Sequence, residues 1–152
     1  MPPEVRDLGP ADIPRILQLE EDLFGPEAWT AGMYREELAS PYRAYRGIDD
    51  SGVLVAYGGI LLAGEAQVLT VGVARTHQRR GLGGVLLRDL LAIAAGGARE
   101  VFLEVRASDV VARHLYERHG FTAIGLRRNY YPRLGEDALV MRADLTAPDG
   151  TG

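Results

Sequence analysis

Glu104 and Tyr116 are residues whose types and spacing could carry out proton transfer. Glu104 lies near the C-terminal end of a predicted strand at residues 100–105, and Tyr116 lies two turns into the helix that follows. Because ligands of open sheets bind outside the carboxyl ends of the strands, a helix that folds back can bring both side chains to one cleft. There a carboxylate can accept a proton from an ammonium group, and a phenol, with an ordinary pKa of about 10, can donate one to a thiolate. The pair therefore fits acyl transfer from a thioester to an amine.

Each of these residues also has a purely structural interpretation. Glu104 can face solvent or pair with Arg106, because it lies in an alternating strand. Tyr116 can be an aromatic residue that packs in the core beneath its helix. Residue type and spacing by themselves leave both interpretations open.

A glycine-rich turn, residues 78–84, is a second feature that could bind a ligand. Gly81, Gly83 and Gly84 let backbone N–H groups approach a ligand closely, and Arg79 and Arg80 add two positive charges. Apolar residues return at helical spacing from residue 82 onward, so these N–H groups lie at a helix N-terminus, where the helix dipole favours anions. The pattern predicts a pyrophosphate-binding turn, although a basic turn that only caps a buried helix is an alternative. The turn matches neither the P-loop nor the dinucleotide fingerprint.

The elements that must position these residues can be predicted from hydrophobic periodicity and turn signals. Thr30 is the predicted N-cap of the second helix, and Ser108 that of the last one. The order predicts an α/β fold, a mixed sheet with helices on both faces, in one domain at residues 1–145 with a flexible tail at 146–152. The predicted strands are 4–8, 43–48, 53–62, 68–73, 100–105, 121–127 and 139–142, with a long hairpin loop at 129–135. The first two predicted helices begin near Asp12 and at Met33. The third and fourth occupy residues 82–95 and 109–119.

Composition narrows the possible functions. The chain has 152 residues, of which 47% are hydrophobic and 25% charged, as expected for one globular domain. A net charge of −4 argues against direct nucleic-acid binding. There is no cysteine, and His77, His114 and His119 lack metal-ligand spacing, so we expect neither a disulfide nor a metal site. With no membrane-spanning run and no signal peptide in the sequence, we expect a cytoplasmic protein.

Several motifs resemble a known enzyme family. QRRGLG at residues 78–83 matches the Q/R-x-x-G-x-G/A acyl-CoA signature of the GNAT acetyltransferases. LEVRAS at 103–108, LYERHGF at 115–121, RRNYYP at 127–132 and EDALVM at 136–141 resemble the RimI group of that family. Enzymes of this group acetylate the N-terminal alanine of a small-subunit ribosomal protein. The resemblance spans nearly the whole chain. It implies a GNAT fold, with a mostly antiparallel sheet that splays between the fourth and fifth strands and holds acetyl-CoA in the gap.

The resemblance also implies a role for each matching residue. It makes Glu104 the general base, acting through water, and Tyr116 the general acid toward the coenzyme thiolate. The N–H of Val73 would polarise the thioester carbonyl. Where related sequences usually have an asparagine that contacts the coenzyme, this chain has Asp109, which when ionised can accept but not donate a hydrogen bond. The residues predicted to bind acetyl-CoA are Val71, Gly72, Val73, Gln78, Arg79, Arg80, Gly81, Leu82, Gly83, Gly84 and Asp109.

The acceptor implied by the resemblance is the N-terminal peptide of a ribosomal protein. The residues predicted to line its groove are Trp29, Tyr130, Tyr131, Glu136 and Asp137. The aromatic residues would contact peptide side chains, and the carboxylates would favour a peptide with early arginines, although the two tyrosines can instead only pack the hairpin. We expect a monomer or weak dimer. Other protein N-termini, lysines or small-molecule amines stay open as acceptors, and so does a non-catalytic acyl-CoA-binding module.

Overall fold

The computed structural model describes residues 3–132 and 135–145, and the predicted flexible tail at 146–152 lies outside them. The strands are β1 (Arg6–Asp7), β2 (Arg43–Asp50), β3 (Val53–Leu61), β4 (Ala66–Val73), β5 (Glu100–Arg106), β6 (Thr122–Tyr131) and β7 (Glu136–Asp144). The α-helices are α1 (Ile13–Phe24), α2 (Ala31–Ala39), α3 (Leu82–Ala95) and α4 (Val110–Arg118). In the described residues the strands form one sheet in the order β1-β2-β3-β4-β5-β7-β6.

The sheet opens between β4 and β5. These two strands run parallel, whereas every other neighbouring pair is antiparallel. Their pairing is limited to Ala66 with Val101 and Gln67 with Phe102, so the rest of each strand diverges from the other. The predicted splay between the fourth and fifth strands is confirmed. It leaves two facing strand edges with free backbone groups and a cleft between them.

Helices cover both faces of the sheet, as predicted. Tyr57 and Gly58 are neighbours on β3, so their Cα–Cβ directions point to opposite faces. The Tyr57 hydroxyl bonds to Glu20 on α1, whereas a Cβ at Gly58 would lie 3.1 Å from Leu90 on α3. Helix α1 therefore lies on one face and α3 on the other. This double cover explains why every residue of β3 from position 54 to position 60 is buried.

Buried apolar residues form two clusters that meet along α3. Leu82 and Leu86 of this helix belong to a cluster with α1, β2 and most of β3. Leu87 and Leu90 belong to a second cluster with β5, Tyr116 and β7. Because α3 belongs to both clusters, its N-terminus is held firmly beside the cleft.

Two local predictions were wrong. The N-cap of α4 is Asp109, which accepts a hydrogen bond from the N–H of Ala112 at 3.0 Å, whereas Ser108 donates to Glu136. The predicted hairpin loop at 129–135 is shorter, because β6 continues through Tyr131 and β7 begins at Glu136. The prediction that Thr30 caps α2 is confirmed, since its side chain accepts from the N–H of Met33.

Candidate active site

The open edge of β4 presents backbone groups to the cleft. Ala74 donates its N–H to the carbonyl of Val55 on β3, at 2.8 Å. Since successive residues of a strand direct their N–H and C=O groups to opposite edges, those of Val73 point into the cleft. The Gln78 side chain donates to the Val73 carbonyl at 3.0 Å and so ties the following loop to the strand end. The N–H of Val73 is thereby left facing the gap as a fixed donor.

The turn that opens α3 concentrates backbone donors and positive charge. Gly81 has a φ of 80° and Arg79 a φ of 66°, both in the left-handed region. Val85 is the first residue to bond within the helix, through its N–H to the Gly81 carbonyl, and no described side chain caps this end. The three preceding N–H groups, at residues 82–84, therefore point outward, where an anion can accept from them.

The cleft contains two adjoining cavities of opposite charge. The larger one, of about 750 Å³, is lined by most of the residues predicted to bind acetyl-CoA. Its complete lining includes five arginines and a single carboxylate, Asp109. The smaller one, of about 160 Å³, is lined by four carboxylates and one arginine. Val71 and Asp109 are among the residues that line both. A polyphosphate fits the first cavity and a cationic group the second.

Glu104 lies on β5 and faces the smaller cavity, with a side chain that is 13% exposed. It does not pair with Arg106. Its carboxylate accepts a hydrogen bond from the guanidinium of Arg127, which also lies 4.5 Å from the ring centre of Tyr130. Burial, and then a hydrogen bond to Glu104, raise the pKa of Tyr130. The carboxylate is thus already surrounded by hydrogen-bond donors at the cavity.

Tyr116 is both a packed aromatic residue and a residue of the same cavity. It is 7% exposed, and its ring makes an edge contact with Phe121 at 5.8 Å between centroids. It also lines the smaller cavity with Glu104. Burial, and then the nearby charge of Asp109, raise the pKa of Tyr116, so the phenol stays protonated at neutral pH. The fold therefore brings the predicted acid and base together.

Other predicted residues have additional or different contacts. Gly72 lines the larger cavity, but it is also required for packing, because a Cβ there would lie 2.7 Å from the ring of Tyr57. Arg80 is not among the residues that line either cavity. Asp109 lies between the two cavities, where its carboxylate caps α4 and lies 3.8 Å from Arg106.

The predicted acceptor residues divide into two groups. Trp29 and Tyr131 line the smaller cavity, and burial is the main cause that raises the pKa of Tyr131 to about 12. Tyr130 lines neither cavity, and the same is true of Glu136 and Asp137. They accept hydrogen bonds from Ser108 and from the N–H of Asn129, so both carboxylates have local structural partners. Their contact with an acceptor stays a prediction.

Glu20 and Glu27 line the same cavity and were not predicted from the sequence. Glu20 is 3% exposed and accepts hydrogen bonds from Tyr34, Tyr57 and the N–H of Trp29. A sequence signal for it exists, because Glu20 follows Ile16 by four positions on the apolar face of α1. Glu27 lies in a single turn between α1 and α2, where no periodicity marks it.

In the described part of the chain, no group of three or more metal-ligating side chains is arranged to hold a metal ion. No described helix has the length and apolar character needed to cross a membrane.

Comparison with known proteins gives consistent matches. Residues 13–121 match the model of the Acetyltransferase (GNAT) family. The N-alpha-acetyltransferase RimI of Mycobacterium tuberculosis is 44% identical over 144 residues, which cover 91% of this chain and 90% of that protein. The [ribosomal protein bS18]-alanine N-acetyltransferase of Escherichia coli K12 is 30% identical, over 93% of this chain and 97% of that protein. The crystal structure of the ribosomal-protein-S18-alanine N-acetyltransferase from Escherichia coli superposes with a TM-score of 0.86 at 27% identity, over 98% of this chain and 97% of that one.

Proposed function

We propose that this chain, which belongs to the GNAT acetyltransferase family and uses acetyl-CoA, acetylates the N-terminal α-amine of a small-subunit ribosomal protein that begins with alanine. The observation that carries the proposal is the cleft between β4 and β5, where Glu104 and Tyr116 share a cavity next to the cationic turn of α3. The names of the relatives support the choice of acceptor.

The residues of the larger cavity fit the coenzyme, which would supply the activated acetyl thioester. The outward N–H groups at the start of α3, with Arg79 nearby, would hold its pyrophosphate. The backbone groups of Val71 and Val73 would pair with its pantetheine arm along the open edge of β4. The N–H of Val73 would then stabilise the negative charge that develops on the acetyl oxygen, because it is fixed before reaction.

Glu104 would remove a proton from the acceptor ammonium, through a water molecule, so that the neutral amine can attack. The ordinary pKa of an α-amino group is about 8, so this deprotonation is easier than for a lysine, at about 10.4. Arg127 is 55% exposed, and exposed ion pairs contribute little, so an arriving ammonium can displace it from Glu104.

Tyr116 would donate its proton to the departing thiolate. Its raised pKa keeps the proton in place until the leaving group develops charge. No covalent enzyme intermediate is needed, because the carboxylate and the phenol together handle both proton transfers.

The test is acetyl-CoA turnover with a panel of acceptors, read by mass spectrometry for the modified site. The panel contains a peptide that begins Ala-Arg, the same peptide with a blocked N-terminus and an internal lysine, and spermidine. We expect acetylation of the first peptide at its α-amine, at a kcat/KM at least about tenfold above the others, reflecting the lower amine pKa. Preferential acetylation of lysine or spermidine would replace the proposed acceptor. Coenzyme binding without turnover on any amine would indicate a binding module. A cytoplasmic location is part of the same proposal.

A further inference from the structure

Glu27 stands out among the carboxylates of the smaller cavity because one of its oxygens lacks a partner. It ends the short turn Gly25–Glu27 that joins α1 to α2, and it lines the cavity with Glu104 and Tyr131. Its Oε1 is buried from solvent and accepts no hydrogen bond from any described residue. A buried polar atom without a partner destabilises the protein, which makes it a site that a ligand donor would stabilise.

The other carboxylates that line this cavity are already occupied. Glu20 accepts three hydrogen bonds, two from tyrosine hydroxyls and one from the N–H of Trp29. Glu104 is paired with Arg127, and Asp109 caps α4. Among the described residues, Glu27 therefore has buried acceptor capacity that the fold itself does not use.

The position of Glu27 also places its charge beside the reacting groups. Burial, then Tyr130 and Glu104, are the larger causes that raise the pKa of Tyr131, and the charge of Glu27 raises it further. The phenol of Tyr131 therefore lies near both carboxylates in the lining of the cavity. A cation that enters the cavity would be attracted by both negative charges and would supply the missing donor to Glu27.

We propose that Glu27 accepts a hydrogen bond from the protonated α-ammonium of the acceptor and so positions it for deprotonation by Glu104. The inference rests on the proposed function. An ammonium group has three N–H donors, so one can bond to Glu27 while another faces the base. Glu27 keeps its charge throughout, and the proton leaves through Glu104.

The experiment compares binding of a free-amine peptide with binding of its N-acetylated form. Both are titrated calorimetrically into the protein saturated with CoA, which lacks an acetyl group and allows no turnover. We expect the wild type to bind the free amine at least about tenfold more tightly, as a charged hydrogen bond implies. In Glu27→Gln this preference should fall to within about threefold, and the KM of the peptide should rise more than kcat falls.

The matched control is Glu21→Gln, which removes the same charge from an exposed position on α1 that lines neither cavity. It should keep the wild-type preference, and thermal unfolding of both variants should show that each is folded. An unchanged preference in Glu27→Gln, with normal peptide turnover by the wild type, would overturn this inference alone. A preference lost only for peptides with arginine at the second position would assign Glu27 to that side chain and also overturn it. Absence of peptide turnover by the wild type would overturn the proposed function, and the inference with it.

Discussion

At the scale of single residues, Tyr116 combines burial with a position in the lining of the smaller cavity. Its ring packs against Phe121, and its side chain lines the smaller cavity. The burial that packs the ring also raises the pKa of the phenol. A phenol that stays protonated and lines the cavity is suited to donate to a departing group.

Replacement of Tyr116 by phenylalanine should therefore affect turnover and leave the fold intact. The change keeps the ring that packs against Phe121, so the melting temperature should change by less than about 2 °C. Loss of a general acid typically lowers the rate by about 100-fold or more, and kcat should fall accordingly while the KM for acetyl-CoA changes little. Because the pKa of Tyr116 is raised, wild-type kcat should not decline through its ionisation below a pH of about 10.

The control for this prediction is Tyr42→Phe, which alters a phenol that is 58% exposed before β2. It should behave as wild type in both assays. Normal kcat in Tyr116→Phe would make Tyr116 a packing residue only.

At the scale of elements, the turn that opens α3 depends on backbone conformation at one position. Gly81 has a φ of 80°, and a Cβ added there would meet no atom within 4 Å. The requirement for glycine is thus conformational and not steric, since other residues rarely adopt a positive φ. This conformation directs the N–H groups of the first helical turn toward the larger cavity.

Gly81→Ala should weaken coenzyme binding by straining that conformation. A left-handed alanine costs about 1–2 kcal/mol, which binding must supply when the turn relaxes in the free protein, so we expect the KM for acetyl-CoA to rise about five- to thirtyfold with little change in kcat. Gly97→Ala is a matched control, because Gly97 also has open space but no positive φ. Equal effects of the two substitutions on steady-state kinetics would contradict a specific role for the turn.

Periodicity and glycine signals predicted α3 and the glycine-rich turn that opens it, because both depend on residues that are close in the sequence. The cap of α4 was misplaced because Ser108 and Asp109 are both good caps, and Ser108 is instead bonded to Glu136 on the distant β7. The predicted loop at 129–135 contains Asn129, Pro132 and Gly135, which are residue types that favour turns. Asn129 has a φ of 52° where the register of β6 shifts, so its turn-favouring type marks an irregularity within the strand and not the start of a loop.

The place of two carboxylates, Glu20 and Glu27, in the smaller cavity could not be predicted from local sequence patterns. Glu136 and Asp137 were predicted to contact the acceptor because they lie close to two tyrosines in the hairpin motif. Their carboxylates instead accept hydrogen bonds from Ser108 and from the N–H of Asn129. Glu20 and Glu27 reach the cavity only because α1 and the turn after it pack beside β4 and β5. That arrangement depends on tertiary packing between segments far apart in the sequence, which local patterns do not encode.

At the scale of the whole molecule, the sheet is joined across its middle by two residue pairs of β4 and β5 and by α3. A ligand in the cleft would contact the first cluster through Val71 and Val73 of β4, which pack against it, and the second cluster through β5 and α4. Acetyl-CoA should therefore connect two halves that the sheet itself connects weakly. Its nucleotide and pantetheine parts would contact different walls of the cleft.

CoA should raise the melting temperature more than either of its parts does. At 100 times its Kd a ligand stabilises the folded state by about 2.7 kcal/mol, or about 5–10 °C for a domain of this size. Adenosine 3′,5′-bisphosphate and pantetheine at the same concentration should each give a much smaller shift, because linking two contacts turns the second into an intramolecular event. Differential scanning calorimetry measures all three shifts. A shift from the nucleotide alone that equals that of CoA would show that the turn of α3 provides all of the binding and that the open edge of β4 contributes none.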